Sequence, residues 1–126
     1  MQTELTPVSL KITQARINAY AGITGDPNPI HLDAAFAAKT EMGGIIAHGT
    51  LSMNLILRAM AATFGPDACD GAEMDIRFVK PVRVDDVVTA SGTRDPETAG
   101  RYNVQVTNQT GEAVIVGWVR PAGAVA

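Results

Sequence analysis

Apolar residues follow two different rhythms along this chain, a helical one before about residue 71 and a strand-like one after it. Met53, Ile56, Leu57, Met60 and Phe64 recur at i, i+3, i+4, i+7 and i+11, which predicts a helix ended by Gly65-Pro66. Leu51 and Leu55 make its opposite face partly apolar, so other structure should wrap it. Beyond residue 71, Met74, Ile76 and Phe78 alternate with Glu73, Asp75 and Arg77, and Tyr102, Val104 and Val106 alternate with Asn103, Gln105 and Thr107. This period of two predicts strands with one buried face.

Turn and cap chemistry supplies the remaining boundaries. Residues 3–11 read as a short extended segment, and Thr13 as the N-cap of a helix reaching about residues 22–24. Gly25-Asp26-Pro27-Asn28-Pro29 cannot continue a helix and reads as a stiff loop. Asp33 is placed to cap a short helix from Ala34 to Lys39. Pro81 marks a strand end or bulge, and strands are expected over 86–93 and 113–120, with turns at 95–100 and 108–111. Short turns join antiparallel strands, so the expected architecture is α+β: a meandering antiparallel sheet curled around one long buried helix, in a single domain over residues 1–126.

Composition narrows the function classes. The chain has 126 residues, 46% hydrophobic and 18% charged, with a net charge of -3. That is a globular and not a disordered composition. Lys and Arg are not clustered, so no nucleic-acid surface is expected. The single Cys69 cannot form an internal disulfide, and no base that would activate it lies nearby in sequence. The Met-Gln-Thr-Glu-Leu start shows no signal-peptide pattern, and the longest apolar stretch, broken by Asn54 and Arg58, is too short to span a bilayer. The expectation is a cytoplasmic protein without membrane association.

The chemistry concentrates in Asp26-Pro27-Asn28-Pro29-Ile30-His31 and Gly43-Gly44-Ile45-Ile46-Ala47-His48-Gly49-Thr50. A carboxylate and an imidazole five positions apart can grip one water molecule, the carboxylate accepting a proton while the imidazole donates or orients. Asn28, between them, can hold the loop or meet a ligand. Gly49 opens the buried helix, where its N–H lacks an intrahelical partner and the helix dipole favours negative charge. Such a donor suits an oxygen on which charge develops. Together these parts specify proton transfer next to a carbonyl. Singly, each has an ordinary structural explanation: a turn Asp, a buried His, a helix-start Gly, and a His48 that only holds the chain.

The joint pattern Asp-x-Asn-x-x-His, followed 18 positions later by the Gly of Ala-His-Gly-Thr, resembles the MaoC-like, (R)-specific enoyl-CoA hydratase family. The likeness extends through Arg77-Phe78-Val79-Lys80-Pro81-Val82 and Asp86-Val87-Val88-Thr89-Ala90, from about residue 8 to 120. The resemblance implies a hot-dog fold, a homodimer or dimer of dimers, and no metal or redox cofactor. It makes Asp26 and His31 the catalytic acid–base pair for syn hydration of a 2-enoyl thioester, carried on CoA or an acyl carrier protein, to a (3R)-hydroxyacyl thioester. It makes Gly49 the oxyanion donor and Asn28 a supporting residue; His48 and Thr50, on either side of Gly49, join these two as substrate-binding candidates. The chain departs from the pattern at Leu57, where some members carry a Ser that shapes the pocket; Ser52 and Asn54 are the polar helix residues here. Arg77, Lys80 and Arg83 are candidate phosphate contacts, although a solvated strand face explains them equally well. Two other classes remain open on the residues alone: a hot-dog thioesterase and a non-catalytic acyl-thioester-binding subunit.

Overall fold

In a computed structural model, residues 3–123 are described. Strand β1 (Val8–Lys11) leads into helices α1 (Gln14–Thr24), α2 (Pro29–Leu32), α3 (Ala34–Ala38) and α4 (Gly49–Phe64). A 3-10 turn, Pro66–Cys69, connects α4 to strands β2 (Glu73–Phe78), β3 (Val87–Arg94), β4 (Tyr102–Thr107) and β5 (Ala113–Arg120). The predicted caps are in place. The Thr13 side chain accepts from the Arg16 N–H, and the Asp33 carboxylate accepts from the Phe36 N–H.

The sheet is antiparallel and five-stranded, in the order β1-β3-β4-β5-β2. Only β3-β4-β5 form a meander. The expected continuous meander is corrected at β2, which crosses to the far edge and pairs with β5 from Glu73↔Arg120 to Phe78↔Ile115. Gly117 allows this approach, because a Cβ there would lie 2.1 Å from the carbonyl oxygen of Asp75. Along β5 the alternation breaks, with Val114 and Ile115 both buried. The register shifts opposite this point, between Val106 and Thr107, and a bulge turns two successive side chains inward.

Helix α4, with 16 residues and a length of about 24 Å, is gripped by β1, β3 and β4. Its fully buried residues are Ser52, Leu55, Ile56, Ala59 and Met60. The expected face is thereby rotated: Met53 and Leu57 lie at the edge of the core, and Phe64 is exposed. Ile56, Met60, Val88, Val106, Val114, Ile115 and Val119 close the core between helix and sheet. Truncating a fully buried residue such as Ile56 to Ala costs about 2–5 kcal/mol. This is the hot-dog arrangement expected from the sequence, and it exposes the N-terminal end of α4 to the segment running from α1 to α3.

Candidate functional site

The loop expected over residues 25–31 is partly helical. Asn28 caps α2, its side-chain oxygen accepting from the Ile30 N–H at 3.1 Å, and Pro29 opens the helical turn. His31 therefore sits on a turn of helix and not on the loop itself. Asn28 holds the turn through its side-chain oxygen. Asp26 precedes the prolines, and its carboxylate accepts a long 3.4 Å hydrogen bond from the Asn28 N–H. Asp26 is exposed, whereas His31 and His48 are buried.

Asp26, His31 and His48 each bring one carboxylate oxygen or ring nitrogen to within 4.8 Å of the others. The imidazole rings of His31 and His48 stack, 3.8 Å apart at an angle of 26°. Tyr20 meets His48 edge-on, 5.1 Å between centroids, and its hydroxyl donates to Thr50 Oγ1 at 2.7 Å. Sequence reasoning missed Tyr20, because one Tyr on a weakly patterned helix carries no signal.

Two backbone carbonyls assign the tautomers. His31 Nδ1 lies 2.7 Å from the oxygen of Ile46, and His48 Nε2 lies 3.1 Å from the oxygen of Asp26. A carbonyl only accepts, so these nitrogens carry the protons. In the neutral rings, the lone pairs are on His31 Nε2 and His48 Nδ1. The neutral His31 is thus a hydrogen-bond acceptor, and the donating role expected for it requires the protonated ring. The Asp26 carboxylate and the neutral His31 ring thus both present acceptors. The Asp26 carboxylate and the one ring nitrogen of His31 not tied to a carbonyl are the donors left for a small ligand.

Gly49 begins α4. Its N-cap, His48, supplies no side-chain hydrogen bond to the helix end. The amides of the first turn therefore have no capping side chain competing with a ligand. A Cβ on Gly49 would fall 2.8 Å from the half-exposed ring of Phe78, so glycine is what lets this ring and the amide lie together. The alternation in β2 predicted Phe78 to point inward with Met74 and Ile76, but it is 54% exposed, at the strand end beside this helix terminus. Thr50 is exposed and engaged by Tyr20.

The remaining candidates lie apart. Lys80 pairs with Glu112, not with a neighbouring site residue. The side chain of Arg83 passes near Gly44, while Leu57, whose carbonyl accepts from Cys69 Sγ at 3.3 Å, borders the core. Among the described residues, no helix is long and apolar enough to cross a membrane.

Comparison with known proteins follows this geometry. The model of the MaoC-like domain matches residues 1–115. A 3-hydroxyacyl-thioester dehydratase Z of Mycobacterium tuberculosis is 32% identical over 116 residues, covering 88% of this chain and 76% of that protein. A 3-hydroxybutyryl-CoA dehydratase of Methylorubrum extorquens is 35% identical over 89 residues, covering 70% of this chain and 57% of the enzyme. The chain spans 57%, 28% and 57% of the lengths of three curated relatives it matches, so two of these are less than twice its matched length and one is much longer. Among solved structures, the unliganded R-hydratase PhaJ1 of Pseudomonas aeruginosa superposes with a TM-score of 0.78 at 29% identity, over 96% of this chain and 81% of the hydratase. With the sheet curled around α4, the Asp–His motif beside its N-terminus and a family match over nearly all its length, this chain belongs to the MaoC-like domain family.

Proposed function

We propose that this protein is a hydro-lyase that hydrates a 2-enoyl thioester, or dehydrates the (3R)-hydroxyacyl thioester, with CoA as the carrier. The observation that carries the reading is the convergence of Asp26 and His31 next to the uncapped start of α4. A water held between the Asp26 carboxylate and His31 Nε2 gives up one proton to the pair as its oxygen bonds C3. The electrons of the C2=C3 bond move toward the thioester carbonyl. The Gly49 N–H meets the charge that builds on that oxygen; a donor so placed contributes about 3–4 kcal/mol to the transition state. The proton taken from water returns to C2 on the same face, giving syn addition. Dehydration runs the same steps backwards. Asn28 acts by fixing the turn that carries His31, and Thr50 and His48 border the site.

The homodimer belongs to the same proposal. β2 is an edge strand whose outer side has no strand partner among the described residues, and it ends at exposed Phe78, followed by exposed Val79. An open strand edge with an exposed apolar end suits pairing with a second copy. A cytoplasmic location fits a CoA-dependent reaction.

The test is incubation with crotonyl-CoA. Loss of the enoyl absorbance without release of thiol is the expected result. Thiol release would instead assign a thioesterase, and no change in either signal would point to a binding subunit.

A further inference from the structure

His48 touches both members of the catalytic pair, yet it has no place in the chemistry above. Its Nε2–H donates to the backbone oxygen of Asp26, and its ring forms the stacking surface under His31. Tyr20 closes the ring's edge. His48 is as buried as His31, but its Nε2–H is committed to the Asp26 backbone.

One polar atom of this residue is unaccounted for. His48 Nδ1 is buried with no hydrogen-bonding partner among the described residues, and the same holds for Ser52 Oγ. Buried polar groups are seldom left unpaired, because each costs about 1–3 kcal/mol. The two residues occupy the N-cap and the fourth position of α4, and their free atoms are not bonded to each other in this structure. Their chemistry is complementary: Nδ1 offers a lone pair in the tautomer set by Asp26, and the Ser52 hydroxyl offers a rotatable proton. We propose that His48 is a positioning residue that holds Asp26 through its backbone and His31 through its ring, with Ser52 as the candidate donor to its Nδ1.

This proposal rests on the hydratase reading for its kinetic consequence but not for its geometry, and the experiment keeps the two apart. His48→Phe keeps a stacking ring and loses the donor to Asp26. His48→Gln restores an N–H near the Nε2 position. Ser52→Ala removes only the hydroxyl. Ring nitrogen-15 NMR of the wild type should show His48 in the Nε2–H tautomer, and Ser52→Ala should shift the His48 Nδ1 signal. With crotonyl-CoA, kcat should fall about tenfold or more in His48→Phe, with partial recovery in His48→Gln and KM within about twofold, because a misplaced pair slows chemistry more than binding. A wild-type His48 protonated on Nδ1 overturns the proposal. So does a His48→Phe protein that loses only Tm, keeping its kcat and the His31 ring signals. If the wild type hydrates nothing, the function fails, and the NMR comparison, with Ser52→Ala standing in for any variant that does not fold, still decides the positioning.

Discussion

The Nδ1 of His31 lies 2.7 Å from the backbone oxygen of Ile46, and this contact leaves Nε2 as the nitrogen available for chemistry. Asn and Gln replacements separate the two nitrogens. His31→Asn keeps an amide N–H near Nδ1 and so the bond to Ile46, whereas His31→Gln gives up that bond. Both variants, and Asp26→Asn, should fold and lose at least about 10²-fold in kcat on crotonyl-CoA. His31→Asn should melt at a higher temperature than His31→Gln. Wild-type rates in Asp26→Asn and either His31 variant would remove the acid–base assignment.

The role of the Gly49 N–H can be isolated by a pair of substitutions. Proline is tolerated at the first position of a helix. The preceding residue, His48, has φ -60 and ψ 132, the extended conformation that proline demands before it. Gly49→Pro and Gly49→Ala place a similar Cβ against Phe78, but only the proline removes the donor. Both should show similar melting temperatures. Gly49→Pro should fall a further 10²–10³-fold or so in kcat below Gly49→Ala, the loss typical of one oxyanion donor. Equal rates in the two proteins would show that this amide binds no developing charge.

The Asp26 carboxylate and a ring nitrogen of His31, within 4.8 Å of each other, should make the protein sensitive to excess zinc. Excess Zn2+ should slow hydration by occupying the place of the water, and EDTA should restore the rate. Calorimetry should show binding that weakens in Asp26→Asn. Heat of binding identical in that variant would place the metal elsewhere.

The turn between β4 and β5 carries a separate pH signature. The Lys80 ammonium, followed by Asn108 and Thr110, hydrogen-bonds the Glu112 carboxylate and lowers its pKa from 4.5 to about 2. The folded value is below the ordinary one, so ionised Glu112 favours folding above pH 4.5. That contribution fades as pH falls toward about 2. The group is fully exposed, so water and salt screen its pair and the effect should be small. Glu112→Gln should leave Tm near neutral pH almost unchanged. It should flatten the fall of unfolding free energy across pH 4.5 to about 2, read from urea denaturation at each pH. An unaltered slope would mean the pair is absent in solution.

Much of the site was legible because its parts are local. Thr13 and Asp33 act on amides only three residues away, so cap chemistry located α1 and α3, while α2, capped by Asn28, fell within the expected loop. The spacing of Asp26 and His31 singled out the segment without showing that the two gather with His48. Phe78 and Met53 were misread for one reason: periodicity reports that a segment has two faces, while the neighbour that covers a face comes from elsewhere in the chain.

The amino-acid order alone determined the succession of elements, the stiff Asp26-to-His31 segment and the glycine opening of the long helix, since each depends on dihedral preferences and contacts within a turn or two. The tertiary structure decided the rest. It carried β2 past the meander to pair with β5, because Gly117 admits the close approach of Asp75. It also chose the ring nitrogens, through carbonyls 15 residues from His31 and 22 from His48. Proton position on an imidazole follows from the acceptor beside it, and that acceptor arrives only when distant segments pack together.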